Sequence, residues 1–280
     1  MHKIHCLAIK RTALTGLLLL LAGAVFAAET YIEEEIAGIE EIGELAKATQ
    51  NPIANLISLP IQNNTTFKWG AKEEALNVAN VQPVIPFEIS DDWNLITRTI
   101  LPIISQPAIT PDQDRENGIG DTSLTGWLSP AAAGKWIWGL GATVNIPTST
   151  DPRLGYDEWA VGPSVVLLTM PGNWVVGGLV SNIWDVNADE QINFMFSQLF
   201  ANYNLKDGWY LVTAPIITAD WEADSDNRWT IPIGGGAGRV FKAGKQPMNI
   251  NVQLYYNVEA PTIVGDWSSR IQVQWMFPKK

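Results

Sequence analysis

Beyond its first six residues, this 280-residue sequence contains neither cysteine nor histidine. The one cysteine is Cys6, and the two histidines are His2 and His5. They lie in a stretch typical of a secretory signal, in which basic residues precede an apolar run over 13–24 and a small-residue site ends at Ala27. We therefore predict that residues 1–27 are a signal peptide cleaved near Ala27.

Removal of that peptide leaves a chain without thiol or imidazole groups. This absence excludes disulfides and zinc sites built on cysteine or histidine. It also excludes a serine–histidine pair, which an outer-membrane phospholipase, the main enzymatic alternative, would need. The acidic stretch 112–118 does not have the spacing of an EF-hand loop, so we interpret it as a solvated loop. We expect no catalytic residue, no cofactor and no metal site.

Basic residues and long apolar runs are also scarce. The sequence has 18 basic and 29 acidic residues, and signal cleavage would leave 15 basic residues and a net charge of −14. This balance argues against nucleic acid as a partner, since phosphates need Lys and Arg. After the signal, no stretch approaches the roughly 20 apolar residues of a membrane-spanning helix. A secreted β-protein or an outer-membrane barrel remains.

From about residue 56 the sequence consists of short segments, several of which alternate between apolar and polar residues. In 246–258 and 267–277 one face is apolar and the other carries Asn, Gln or Arg, as lipid on one side and water on the other require. Segments 118–129, 158–170 and 190–204 show no clear face. The twelve predicted strands are 55–68, 75–89, 93–104, 118–129, 135–147, 158–170, 173–185, 190–204, 208–221, 228–241, 246–258 and 267–277. Within the tenth, Gly234-Gly235-Gly236 predicts a bulge or bend.

The connections alternate between short turns and longer, mostly acidic loops. The short set includes 90–92 and 171–172, and the long set includes 105–117 and 148–157. Short periplasmic turns facing longer outer loops are typical of outer-membrane barrels. We predict an all-β fold: a transmembrane antiparallel up-and-down β-barrel of about twelve strands over 53–280, with both termini on the periplasmic side.

Most of the thirteen tryptophans lie next to these turns and loops. Tryptophan favours the membrane–water interface because it joins an apolar ring to a polar N–H. Two girdles at opposite ends of a barrel would place them there. The twelve predicted interface residues are Trp69, Trp93, Trp127, Trp136, Trp159, Trp174, Trp184, Trp209, Trp221, Trp229, Trp267 and Trp275.

Residues 28–52 differ from the rest of the sequence. Isoleucines recur at helical spacing from Ile32 to Ile42, with glutamates on the other faces, and Asn51-Pro52 ends the pattern. We predict a short acidic amphipathic helix on the periplasmic side. A partly disordered leader and a plug or partner-docking helix remain as alternatives.

The chain resembles the meta-pathway phenol-degradation family of outer-membrane barrels. The resemblance rests on punctuating motifs, namely Asn51-Pro52 through Gln62-Asn63-Asn64, Gln82-Pro83-Val84-Ile85-Pro86, Gly118-Ile119-Gly120-Asp121, Asp207-Gly208-Trp209-Tyr210, Gly244-Lys245-Gln246-Pro247 and Gln272-Val273-Gln274-Trp275-Met276-Phe277-Pro278. It implies an outer-membrane barrel with a transport role, and hydrophobic or aromatic compounds as candidate solutes. Barrels of this kind usually end on an aromatic residue read by the assembly machinery, whereas here Pro278-Lys279-Lys280 follows Phe277.

We therefore predict a channel for passive or facilitated diffusion of small solutes across the outer membrane of a Gram-negative bacterium. The alternative is a non-conducting barrel that serves as an anchor or interaction protein. Expected partners are outer-membrane lipid, lipopolysaccharide, the barrel-assembly machinery and small solutes. The candidate residues for lining and selectivity are Arg98, Thr143, Asn145, Asn249, Asn251, Gln253, Arg270, Gln272 and Gln274, with the two arginines as anion contacts.

Overall fold

The computed structural model describes residues 40–132, 134–187 and 192–278. The predicted signal peptide and residues 28–39 of the predicted helix lie outside this part of the chain. The chain divides into two units, residues 1–43 and 44–280, and all strands among the described residues lie in the second. No helix among the described residues combines the length and apolarity needed to cross a membrane.

Twelve antiparallel strands close into a barrel, which confirms the predicted fold class. Each strand pairs with the next in the chain, and the first pairs with the last from Ile57–Phe277 to Thr66–Ser268. The strands are β1 (Ile57–Trp69), β2 (Glu74–Val81 and Val84–Glu88), β3 (Trp93–Gln106), β4 (Glu116–Ile119 and Thr122–Pro130), β5 (Trp136–Ile146), β6 (Ala160–Thr169), β7 (Trp174–Asp185), β8 (Asn193–Asn204), β9 (Trp209–Thr213 and Ile216–Asp220), β10 (Trp229–Ala243), β11 (Gln246–Glu259) and β12 (Trp267–Phe277).

Three strands are interrupted near their middle. Pro83 interrupts β2 and Pro215 interrupts β9, because proline has no N–H to give to the ladder. Gly120-Asp121 interrupts β4, although the Gly120 N–H still donates to the Pro102 carbonyl oxygen at 3.0 Å. At the break in β9, the backbone N–H and carbonyl of Ala214 bond to side chains instead of the ladder.

The bulge predicted at Gly234-Gly235-Gly236 lies elsewhere. The register of β10 against β11 shifts between Ile231 and Pro232, and the three glycines continue the ladder. They serve close approach instead, since a Cβ at Gly236 would lie 1.8 Å from the Val252 carbonyl oxygen. The proline, which cannot donate to the ladder, accounts for the position of the shift.

The two faces of the wall differ as the alternation predicted. In β11 the outward residues Val252 and Leu254 are 53% and 50% exposed, whereas the inward Asn249 and Asn251 are 2% and 5% exposed. The same division holds in β12, where Ile271 points outward and Arg270 inward. Apolar side chains therefore cover the outside, and polar ones line much of the interior.

The ends of the barrel are also distinct. Connections of two to five residues between strands define the short-turn end: 89–92, 131–135, 170–173, 205–208 and 244–245. The opposite, long-loop end carries the segments 70–73, 107–115, 147–159, 186–192, 221–228 and 260–266. Nearly all of these agree with the predicted alternation of turns and loops.

A hydrophobic core fills the interior towards the short-turn end. A helix over residues 40–50 ends where Asn51-Pro52 was predicted to stop it, and a turn follows in which the Asn51 side chain accepts a hydrogen bond from the Ile53 N–H. Residues 44–56, hereafter the interior segment, contribute Ala46, Ile53 and Leu56 to the core. The barrel contributes inward residues from most of its circumference: Ile96, Trp127, Val166, Leu168, Val175, Leu179, Phe200, Tyr210, Val212, Val240 and Met276.

This core explains why three predicted strands showed no clear face. The inward side of β6 includes Val166 and Leu168, which pack in the core, while Val165 and Leu167 face outward. Both faces are therefore apolar. Polar-inward alternation holds in strands outside this core, such as β11 and β12.

Candidate functional site

The barrel interior holds a cavity of about 160 Å³, hereafter the inner cavity. Seven of the nine residues predicted to line the interior lie around it: Arg98, Asn249, Asn251, Gln253, Arg270, Gln272 and Gln274. The other two are also buried but lie outside this lining and bond to neighbouring residues. Thr143 pairs with Thr125 at 2.9 Å between hydroxyl oxygens, and Asn145 donates to the Glu158 carbonyl oxygen at 3.1 Å.

The amides of β11 and β12 bond to one another along the cavity wall. Asn249 donates to Gln274 at 3.3 Å, and Gln253 donates to Asn251 at 2.7 Å. From the other side the Tyr210 hydroxyl donates to Asn249 at 2.7 Å. Because these buried polar groups are paired, they form an ordered and uncharged surface.

Arg270 reaches across the interior from β12 to β9. Its Nε donates to the Asn64 side-chain oxygen at 3.0 Å, and its Nη1 donates to the Ala214 carbonyl oxygen at 2.8 Å. The guanidinium also lies 5.4 Å from the centre of the Tyr255 ring. The Tyr255 hydroxyl accepts the Ala214 N–H at 3.0 Å, which the break at Pro215 has freed from the ladder.

Three residues, hereafter the crossbar, separate the inner cavity from a second cavity: Arg270, Tyr255 and Ala214. This outer cavity, of about 430 Å³, opens towards the long loops and is lined by residues such as Trp69, Phe194 and Arg228. Arg270 borders both cavities. Side chains therefore divide these two chambers of the barrel interior.

Arg98 lines the inner cavity from β3 and is bonded very differently. Its guanidinium carbon lies 5.2 Å from the centre of the Trp127 ring. Its Nε is buried and has no hydrogen-bond partner among the described residues. Of the two arginines predicted as anion contacts, Arg270 is thus committed to the protein, while Arg98 retains a free donor.

The interior segment forms the floor of the inner cavity, a feature that the sequence indicated only as an alternative. Seven of its residues between Ala48 and Leu56 line the cavity. The Gln50 and Asn204 side chains bond to each other twice, at 2.8 and 3.0 Å. The Thr49 hydroxyl bonds to the Met276 sulfur. The segment is therefore attached to the wall by polar contacts as well as by the core.

The tryptophans divide into outward and inward sets. Eight of the predicted interface residues are exposed on the outer surface: Trp93, Trp136, Trp159, Trp174, Trp184, Trp209, Trp221 and Trp267. The prediction for Trp127 was wrong: it is fully buried in the core, where its Nε1 donates to the Ser164 hydroxyl at 2.9 Å. Trp69 also departs from its prediction, because it lines the outer cavity after the register of β1 shifts between Thr66 and Trp69.

At the long-loop end Asp121 organises the loop 147–159. Its carboxylate accepts hydrogen bonds from the backbone N–H groups of Thr148, Ser149, Tyr156 and Asp157, at distances from 2.7 to 3.2 Å. Within the loop, Arg153 donates a side-chain hydrogen bond to Asp151 that lowers the pKa of that carboxyl to about 2. The loop is therefore folded against the barrel rim.

Comparison with known proteins shows similarity at the level of fold. No protein-family model matches the sequence, and no curated protein matches it. Among solved structures, the COG4313 outer membrane channel from Pseudomonas putida F1 has 20% identity and a TM-score of 0.62, over 79% of this chain and 94% of that one. Outer membrane phospholipase A from Escherichia coli has 14% identity and a TM-score of 0.41, over 80% of this chain and 96% of that one. The barrel fold is therefore shared with an outer membrane channel.

Proposed function

We propose that this protein is an outer-membrane channel through which small solutes diffuse. The observation that carries the proposal is the interior itself: the linings of the inner and outer cavities contain many polar side chains, the amides of β11 and β12 among them, inside a barrel with an apolar exterior. Water and lipid on opposite faces of one wall require this division. The fold shared with an outer membrane channel supports the same assignment.

In this proposal the short-turn end faces the periplasm and the long loops face outward. The exposed tryptophans then lie at the two interfaces, with Trp136 and Trp209 near the short turns and Trp159 and Trp267 near the long loops. The strand β12 ends at Phe277 and would present its aromatic end to the barrel-assembly machinery. Lipopolysaccharide would surround the outer half.

Passage through the barrel requires movement of the interior segment. Ile53 and Leu56 pack in the core, and residues 48–56 close the inner cavity on the short-turn side. A solute reaching the inner cavity from the long-loop end would pass the crossbar and then leave as the segment shifts. The paired amides would supply uncharged hydrogen-bonding groups along this path.

A non-conducting barrel that serves as an anchor or interaction protein is the second candidate. The observation that favours it is the hydrophobic core across the short-turn half, where Trp127, Leu168 and Met276 are fully buried. Such a core stabilises a closed interior and would block the passage of solutes.

Two measurements separate these candidates. Membrane fractionation should recover the mature chain with the outer membrane, and recovery from the soluble periplasm would reject both. Liposome-swelling rates with sugars, amino acids and small aromatic solutes then test permeation. We expect swelling above that of empty liposomes, and a larger rate for Ile53→Ala, which weakens packing of the interior segment. Val252→Ala, on the outer surface, serves as the control.

A further inference from the structure

We propose that the inner cavity is a binding site for a small organic monocarboxylate, whose carboxylate pairs with Arg98 and whose body is apolar and about the size of one ring. This inference rests on the proposed function, because the ligand would be a solute in transit. It begins from the free donor of Arg98 and continues through the charge, shape and size of the cavity.

A buried guanidinium with an unused N–H is costly unless something completes its bonding. Burial of a polar group without a partner destabilises the folded chain by a free energy comparable to a lost hydrogen bond. The Nε of Arg98 is such a group, and contact with the Trp127 ring satisfies the face of the guanidinium but not its edge. A carboxylate matches that edge, because its two oxygens accept parallel hydrogen bonds from the planar fork.

The surroundings of Arg98 favour one negative charge. Among the described residues that line the inner cavity none is acidic, and the only other charged side chain is Arg270. Arg270 already donates to Asn64 and to the Ala214 carbonyl oxygen. The remaining polar lining consists of uncharged groups. A single available cation therefore matches a monoanion better than a dianion.

The wall across the barrel from Arg98 carries apolar side chains among polar ones, since Gln198 and Asn202 also line the cavity there. Leu179, Phe200 and Val212 lie on β7, β8 and β9 and line the same cavity. In a closed barrel of twelve strands, β9 lies opposite β3. The apolar body of a ligand held by Arg98 would therefore pack against Leu179, Phe200 and Val212.

The volume limits the size of that body. The inner cavity is about 160 Å³. An apolar protein cavity of about 150 Å³ holds one benzene molecule. One ring, or an aliphatic chain of similar bulk, therefore fits while the carboxylate lies against the arginine edge. Benzoate has these properties and is a suitable probe, and benzamide is its uncharged analogue of nearly the same shape.

Calorimetric titration of the refolded full-length mature chain in detergent tests the proposal. We expect benzoate to bind at least about 10-fold more tightly than benzamide, and Arg98→Met to weaken benzoate binding by about 10- to 100-fold. Arg98→Lys keeps the positive charge but lacks the planar guanidinium, so it should bind benzoate with intermediate affinity. This variant still tests the proposal if Arg98→Met does not fold. Quenching of fluorescence by benzoate should shrink in Trp127→Phe, which locates the ligand beside Arg98.

A matched control is available at the outer surface. Arg239 lies over the Trp209 ring at 5.3 Å, an arrangement like that of Arg98 and Trp127, but it is exposed. Arg239→Met should leave benzoate affinity within about twofold. The proposal is overturned if benzoate does not bind the folded chain, or if benzamide binds equally well. It is also overturned if Arg98→Met and Arg239→Met have the same affinity for benzoate. If benzoate binds but no solute permeates, the proposed channel is rejected and the proposed binding site is retained. If solutes permeate but benzoate does not bind, the binding site is rejected and the channel is retained.

Discussion

The side-chain amides of Gln50 and Asn204 bond to each other in both directions, with N–O distances of 2.8 and 3.0 Å. Gln50 is the last residue of the helix in the interior segment, and Asn204 is the last residue of β8. Each amide uses its oxygen and its nitrogen in the pair. This reciprocal contact fixes the end of the helix to the barrel wall at the short-turn end.

Removal of either amide should loosen the segment. We expect Gln50→Ala and Asn204→Ala each to lower the free energy of unfolding by about 1–2 kcal/mol, with a coupling energy of about 1 kcal/mol in the double variant. Urea unfolding followed by tryptophan fluorescence measures these values. Asn55→Ala, at an exposed side chain, should show no coupling with Asn204→Ala. Simple additivity of the Gln50 and Asn204 effects would contradict the structural role of the pair.

The buried Trp127 should make the barrel sensitive to Ser164. Ser164→Ala leaves the Trp127 Nε1 without an acceptor in the core, and we expect unfolding to become easier by about 1–3 kcal/mol. The exposed Ser225→Ala should change stability by less than about 0.5 kcal/mol. Equal effects at the two serines would show that the tryptophan N–H is satisfied in another way.

The contrast between Trp127 and Trp136 shows how far the sequence could predict this structure. Strand positions, the alternation in β11 and β12, and the turn–loop pattern follow from local periodicity and from glycine and proline. Trp136 is exposed, whereas Trp127 lies on the inward face of β4 with Thr125 and Ser129 and is buried in the core. That core joins residues far apart in the sequence, and local patterns do not report it. The free donor of Arg98 and the commitment of Arg270 depend on the break at Pro215 and on partners across the barrel, so their different bonding was equally inaccessible.

Asp121 should control access to the loop 147–159. Its carboxylate accepts four backbone N–H groups, and Asp121→Asn replaces one acceptor oxygen with a donor and removes the charge. We expect trypsin to cleave after Arg153 at least about 10-fold faster in this variant. A decrease of about 1.4 kcal/mol in the free energy of loop opening corresponds to that factor. Asp112→Asn, in another loop, should leave the rate unchanged. Unchanged cleavage in Asp121→Asn would contradict the clamp.

The Asp151–Arg153 contact should make the same loop sensitive to acid. The pKa of Asp151 is lowered from its ordinary 3.8 to about 2 in the folded chain. Because the pKa of Asp151 is lower in the folded chain than in the unfolded chain, ionised Asp151 stabilises the folded loop at pH values above its unfolded pKa. That stabilisation is lost as the pH falls towards 2. Pepsin cleavage within 148–157 should therefore accelerate between about pH 4 and pH 2. Asp151→Asn should flatten this part of the profile, whereas the exposed Asp226→Asn should retain it, and identical profiles for the two variants would reject the assignment.

The most direct test of the channel with a movable interior segment is single-channel conductance of a chain cross-linked at the Gln50–Asn204 contact. The mature chain would contain no cysteine, so Gln50→Cys with Asn204→Cys offers a short bismaleimide only two thiols. We predict that this variant conducts before cross-linking and that cross-linking abolishes the conductance, while a chain carrying Asn204→Cys alone conducts with or without the reagent. Conductance that persists after complete cross-linking, or its absence in every form of the chain, would contradict the account.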